Sequence, residues 1–365
     1  MGVPAARRVE CDRLGYLECY TPGYAAAAMT APTPTTTTTP LLIDCDTGID
    51  DALALLYACA SPEAEIVGVS CVAGNVELPH ILRNTLSVLE LAGHAEVEVA
   101  AGCEAPIARP LRTAGDTHGS TGLGYAQLPP PATAAGPRDA AEMIIEQAKA
   151  RPGELTLVTL GPLSNVAVAL EREPQLPRYL KGLLMMVGSY RSPGNTAPTM
   201  EWNAGVDPEA LAATIAGWAG AASDVGRPRA FGLDVTERAK LTPPHVERLA
   251  QAAGSEDDPV VRFVDDALRF YFEFHSQHDG FYGAFIHDAL VVAAALDPGL
   301  AQTEALTVEV ELEGRWTTGE TVTDWRRAWG REPNVDVAVQ ADADTFFERF
   351  VERVGGLARE RRSVG

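Results

Sequence analysis

The chain has 365 residues and a mass of 38.7 kDa, enough for one large α/β domain or two smaller ones with a sizeable core. Hydrophobic residues make up 46% and charged residues 22%, which excludes a disordered or membrane-embedded chain. With 29 basic against 50 acidic residues the formal charge is −21, so nucleic acid polymers and membranes are excluded as partners, while a cation or a small uncharged substrate is compatible.

Cys11, Cys19, Cys45, Cys59, Cys71 and Cys103 form no C-x-x-C pair or zinc-ligand spacing. They read as reduced thiols, and no apolar run reaches the roughly 18 residues of a spanning helix, so a cytoplasmic location is expected. Residues 30–40, TAPTPTTTTTP, cannot build a packed core. Residues 1–40 are therefore expected to be a disordered extension, with Met29 as an alternative start, and residues 41–365 a single folded domain.

From Leu41 onward short apolar runs alternate with helical patterns, the signature of βαβ units. The expected strands are LLIDCD (41–46), EIVGVSCVAG (65–74), VEVAAG (97–102), LTLVTLG (155–161), GLLMMVG (182–188) and AFGLDV (230–235). Helices are expected at Asp50–Ala60, His80–Ala92, Ala140–Ala150, Ser164–Glu171 and Pro208–Ala216. TVEVELEG (307–314) and VDVAVQAD (335–342) alternate with period 2, which suits edge or antiparallel strands. The fold class implied is α/β: a single-domain, mostly parallel, Rossmann-like open sheet flanked by helices, with ligands at the carboxyl ends of the strands.

LLIDCDTGIDDALALLYA runs from a buried strand through a glycine turn into a helix and gathers Asp44, Asp46, Asp50 and Asp51 at one junction. Asp50 or Asp51 alone reads as a helix cap. Asp44 and Asp46 at the end of an apolar strand do not, because charge there is costly without a partner. A hard cation, calcium or magnesium, would neutralise the group. A haloacid dehalogenase-type phosphatase also opens on a strand ending in D-x-D, but here Gly48 stands where a hydroxyl or valine is needed, and only Asp265-Asp266 matches its later acidic pair. That reading ranks a distant second.

Further polar pieces recur at strand ends: Gly74-Asn75, THGSTGLG around His118, LGPLSN at 160–165, GNTAPTMEWNAGVDPEA at 194–210 and IHDALVVAAALDP at 286–298. Singly each is a turn, a loop histidine or a hydrogen-bonded pair. Together, in this order, they resemble the inosine/uridine-preferring nucleoside hydrolases over roughly Leu41 to Phe347. The resemblance implies a calcium-dependent enzyme that cuts the N-glycosidic bond of ribonucleosides, a small-molecule nucleoside as partner, and a homodimer or homotetramer.

Residue by residue, it implies Asp46, Asp51, Asp288 and the Leu160 carbonyl as calcium ligands, with Asp46 also as the general base. Asp50 is implied to bind the ribose 2′-hydroxyl, and Asn75, Asn195, Glu201 and Asn203 the sugar, beside an apolar wall from Trp202, where phenylalanine is more usual. His287 is expected to be the acid that protonates the leaving base, with His118 as second candidate; histidine at both positions points to broad or uridine-accepting specificity. Tyr271 and His275, at i and i+4 on a helical stretch, are candidates to meet the base, though a helix face packed on the core explains them equally well. A catalytically idle ribose and calcium binder is the remaining alternative, and its mark, a lost aspartate, is absent.

Overall fold

A computed structural model describes residues 38–221 and 225–364. The expected disorder of residues 1–37 lies outside the described residues. The strands are β1 (Thr39–Cys45), β2 (Ala64–Cys71), β3 (Val99–Ala101), β4 (Thr156–Thr159), β5 (Gly182–Met186), β6 (Arg229–Phe231), β7 (Lys240–Leu241), β8 (Ala284–Phe285), β9 (Ala301–Leu306), β10 (Val308–Val310), β11 (Thr321–Thr323) and β12 (Val335–Ala341). Eight of them form one sheet in the order β3-β2-β1-β4-β5-β6-β12-β9. Its pairings are parallel except for β12 with β9.

β1 begins at Thr39, two residues before the expected start, and pairs with β2 on one side and β4 on the other. Its apolar run serves two cores: Leu41 and Ile43 pack into the layer on one face and Leu42 into the layer on the other. A strand buried on both faces shows no alternation, because period-2 side chains all meet apolar partners. The strand order reverses between β1 and β4, and in open parallel sheets that reversal opens a crevice beyond the carboxyl ends.

The Ile49–Cys59 helix follows β1 and is buried along nearly its whole length, packed against the Asp288–Leu296 and Ala343–Val364 helices. A helix apolar on all sides suits such a position. The expected helices occur at Leu78–Ala92, Ala140–Ala150, Ser164–Arg172 and Pro208–Gly220.

Two expected strands differ. AFGLDV stops pairing at Phe231, and Leu233–Thr236 forms a helical turn instead. The Asp234 carboxylate accepts N–H bonds from Tyr190, Arg191 and Ser192, and the Leu233 N–H donates to the Gly188 carbonyl, so this backbone is spent on the neighbouring loop rather than on a ladder. TVEVELEG supplies only β10, which pairs with β11 in a separate hairpin. The edge of the main sheet is β9, AQTEAL, whose mostly exposed side chains carry no apolar pattern.

Candidate active site

Asp46 lies just beyond the end of β1, in the turn that leads through Gly48 into the Ile49–Cys59 helix. Asp51 closes that turn: its Oδ2 accepts the Gly48 N–H at 2.9 Å and its Oδ1 the Asp46 N–H at 3.2 Å. It is thus a helix cap and a site residue at once. A Cβ on Gly48 would stand 2.6 Å from His118 Nδ1 and 2.7 Å from Asn75 Nδ2, so close approach requires glycine there.

Asp46 sits in a cradle. Its Oδ2 accepts the Asn75 N–H at 2.8 Å, and a Cβ on Gly74 or Gly161 would fall 2.1 Å or 2.7 Å from its carboxylate oxygens. Asn75 Nδ2 donates to the Asp46 carbonyl and to Asp51 Oδ2, both at 3.1 Å. Asp51 lies close enough to Asp46, and Asp288, the first residue of the Asp288–Leu296 helix, close enough to Asp50, for each carboxyl to feel its neighbour. Among the described residues, Asp50, Asp51 and Asp288 offer oxygens within 4.8 Å of one another. Asp44 is not part of this group. It takes bonds from Ser70 Oγ and Asn165 Nδ2, does not line the cavity, and burial pushes its carboxyl up to about 7.

All four cluster carboxyls are buried, and burial, followed for Asp46, Asp50 and Asp288 by the neighbouring aspartates, pushes them above the usual carboxylate range, Asp50 to about 8. Among the described residues no lysine or arginine pairs with any of them. An unpaired buried charge costs several kcal/mol, more than the roughly 1.5–3 kcal/mol that burying a leucine returns. Neighbouring carboxyls without a basic partner, built only of oxygen donors, fit a hard divalent cation.

The cluster forms one end of a cavity of about 540 Å³. The Leu160 carbonyl lines it and accepts Asn203 Nδ2 at 2.7 Å, and the second hydrogen of that amide goes to the Met186 carbonyl at 3.0 Å. Glu201 caps the Trp202–Val206 helix, taking the N–H groups of Gly188, Asn203 and Ala204. Asn195 Oδ1 accepts the Trp202 N–H at 3.0 Å, and the Arg112 guanidinium lies 5.8 Å from the Trp202 ring centre.

Beside the cluster the lining is aromatic. His118, Tyr271, His275 and Phe285 follow one another with ring centres 5.6, 4.6 and 4.9 Å apart, and His287 stands 6.1 Å beyond Phe285. Burial, ahead of the neighbouring imidazoles, brings both His118 and His287 down to about 3. His118 Nδ1 accepts the Ile49 N–H at 3.1 Å, so its neutral ring carries the proton on Nε2. His287 is the opposite tautomer: Thr236 Oγ1 donates to the Gly232 carbonyl and so accepts from His287 Nδ1 at 2.8 Å, leaving Nε2 bare.

Every residue expected at the site lines the cavity or, as with Asp51, holds residues that do. Sequence reasoning missed Thr236, Glu237, Met186, Asp279, Phe285 and Arg112. Thr236 and Glu237 follow β6, so polar residues past a strand end were the available signal. Asp265 is exposed and Asp266 pairs with Arg269; neither lines the cavity, which removes the second acidic pair that a phosphatase needs.

Residues 41–348 match the family described as inosine-uridine preferring nucleoside hydrolase. The chain belongs to that family. It is 37% identical over 317 residues to a pyrimidine-specific ribonucleoside hydrolase, RihA, of an Enterobacter species, covering 86% of this chain and 97% of that one. It is 34% identical over 320 residues to the inosine-uridine preferring nucleoside hydrolase of Leishmania major, covering 86% and 98%. Among solved structures, a purine-preferring ribonucleoside hydrolase from Gardnerella vaginalis superposes with a TM-score of 0.81 at 30% identity, covering 88% of this chain and all of that one. As a nucleoside hydrolase, the protein cleaves the N-glycosyl bond of a small-molecule nucleoside, and its family is metal-dependent. No helix among the described residues is long and apolar enough to cross a membrane.

Proposed function

We propose that this nucleoside hydrolase is calcium-dependent, accepts uridine and inosine or a broader set, and works in the cytoplasm as a homodimer or homotetramer. The observation that carries the metal assignment is the buried group of Asp50, Asp51 and Asp288, whose oxygens lie within 4.8 Å of one another beside Asp46 and without a basic partner among the described residues. An all-protein set of carboxylates and a carbonyl suits calcium better than magnesium, which keeps several waters. The free thiols among the described cysteines support the compartment, and the family resemblance alone supports the oligomer.

Asp46, Asp51, Asp288 and the Leu160 carbonyl would hold the ion, with Asp50 beside them for the 2′-hydroxyl. Calcium, when bound, orients the attacking water, lowers its pKa and grips sugar hydroxyls. Asp46, fixed between Gly74, Gly161 and the Asn75 N–H, takes the water's proton. Asn75 and Asn203 have both amide hydrogens committed, so each offers the sugar only its Oδ1, and Glu201 offers only carboxylate lone pairs. The sugar site therefore meets hydroxyl donors with these three acceptors, and Asn195, whose Oδ1 is taken by the Trp202 N–H, adds an Nδ2 donor. Asn195 and Trp202 close its outer side.

At the base end His287 is the proposed proton donor, worth about 10²–10⁴-fold for a poor leaving group. It rests neutral with Nε2 bare, so it first takes a proton from solvent at Nε2 and passes that proton to the base nitrogen as the C1′–N bond breaks. His118, with its proton on Nε2, holds the base by donating to it, and Tyr271 and His275 complete the wall.

Free ribose released from uridine and inosine, with calcium and with a chelator, tests the proposal. Absence of release with calcium would refute it and leave an idle binder; release unaffected by the chelator would remove the metal role.

A further inference from the structure

The β10–β11 hairpin carries a feature that cleavage of a nucleoside does not use. Its base is anchored. Thr321 Oγ1 donates to the Ser189 carbonyl at 2.7 Å and accepts the Ser189 N–H at 3.1 Å, and Arg109, paired with Glu209, donates to the Leu312 carbonyl at 2.9 Å. A Cβ on Gly319 would fall 2.9 Å from Met200 Sδ, so the hairpin lies close against the chain that leads to Glu201. Its tip, in contrast, faces water. Trp316 is 76% exposed there, more than any other large apolar side chain among the described residues, and the Arg315 guanidinium lies 4.6 Å from its ring centre. An indole on a fixed turn offers a large apolar surface with little freedom left to lose, as the anchor residues of protein interfaces do.

A groove of about 370 Å³ complements that tip. Val308 and Val310 of β10 line it together with Ile215, Ala212, Ala216 and Ala219 of the Pro208–Gly220 helix, which leaves room for an indole side chain. Glu332 and the Arg331–Glu309 ion pair complete the lining. Arg315 beside the tip and Glu332 beside the groove are both exposed, and neither has an ion-pair partner among the described residues. The charge of the whole chain points the same way. Two chains of −21 repel each other, so copies can meet only where that charge is locally cancelled. From Gly314 to Arg331 it is cancelled, since Arg315, Arg326, Arg327 and Arg331 stand against Glu320 and Asp324 alone.

We propose that the hairpin is a contact between two copies of this chain, in which Trp316 of each copy seats in the groove of the other and Arg315 meets Glu332 across the boundary. The inference rests on the oligomer proposed above and names the surface that forms it. Knob and groove lie on one chain, so a two-fold axis lets both copies exchange them at once, and the contact closes at a pair. Each indole leaves water for an apolar groove, and the two unpaired charges beside it find partners in the same step. The ion pairs fix which way round the copies dock, while the buried indoles supply most of the affinity.

Sedimentation equilibrium on the calcium-loaded full chain tests it. The parent should sediment as a dimer or larger, and Trp316→Glu should fall to half that mass or less, with a Kd raised at least about 30-fold. Arg315→Glu and Glu332→Arg should each weaken the pair about tenfold, and the chain carrying both should regain the parent's mass, a rescue that damage to the fold would not give. Should the tryptophan variant fail to fold, amide hydrogen exchange of the parent serves: residues 309–318 should be protected in concentrated protein and lose that protection on dilution. Exchange independent of concentration overturns the proposal. An oligomer whose mass neither Trp316→Glu nor the charge reversals change overturns it and leaves the oligomer standing on another face. A parent that stays monomeric at every concentration ends both.

Discussion

At the sugar end of the cavity, Asp46 is fixed by the Asn75 N–H and by two glycines, Asp51 is tied to two backbone N–H groups, and both Nδ2 hydrogens of Asn75 and of Asn203 are spent. At the base end His275 Nε2 and the Glu237 carboxyl have no hydrogen-bond partner. One end is preorganised by contacts within the protein, and the other leaves groups to be satisfied by what binds. On the proposed function, chemistry common to all ribosides falls to the rigid end and the choice of base to the open one. Preorganisation lowers a barrier only where the reacting atoms always take the same place.

That contrast can be broken most directly at the cluster. Asp51→Ala should lose the divalent ion and lower kcat/KM by at least about 10³-fold, because too few hard ligands remain. Calcium content equal to the parent's, measured by equilibrium dialysis, would remove Asp51 from the ligands. At the other end, His287→Ala should lose about 10²–10⁴-fold on inosine or uridine yet cleave p-nitrophenyl riboside nearly as well as the parent, since nitrophenolate departs unprotonated. Equal losses on both substrates with reduced calcium occupancy would mean that His287 only positions Asp288.

Gly74→Ala probes rigidity without removing a ligand. The new Cβ would lie 2.1 Å from Asp46 Oδ2, so the carboxylate must shift, and kcat should fall by about 10²-fold with KM little changed. An unchanged kcat would show that the cradle yields. The smallest effect concerns stability. Raised carboxyl values mean that the folded, metal-free protein keeps protons that the unfolded chain releases above about pH 4. This stabilisation is complete below that pH and is lost as pH rises through the folded values, about 7 for Asp44 and about 8 for Asp50. The chelated protein should therefore melt several degrees lower near pH 8 than near pH 5, and calcium should restore most at the alkaline end. A melting temperature that rises over this range would contradict the burial of the cluster.

The two ends also differ in how far the sequence discloses them. β1, its glycine turn and the helix after it are contiguous, so LLIDCDTGIDD displays strand, cap and carboxylates within a few residues of one another. The base end is assembled from His118, the turn after β6, the end of the Pro259–His278 helix and the segment before Asp288, which are distant in sequence. Thr236 shows only as a polar residue past β6, and no local pattern marks Asp279, because its role arises only when His275 comes to lie beside it. β9 was missed for a related reason: an edge strand facing solvent has no periodicity to read. Asp44 misled in the opposite sense, since sharing a motif with Asp46 did not bring its side chain into the same cavity.

The exhausted amides of Asn75 and Asn203, with the backbone-bonded carboxylate of Glu201, also decide which sugars the protein leaves alone. A pocket of acceptors can be matched only by hydroxyl hydrogens, and each one missing strands a buried acceptor at about 1–3 kcal/mol, roughly 5- to 150-fold in rate. A riboside lacking a hydroxyl that these acceptors meet should therefore be cleaved roughly 5- to 150-fold more slowly, which kcat/KM on uridine and on its deoxy analogues would check.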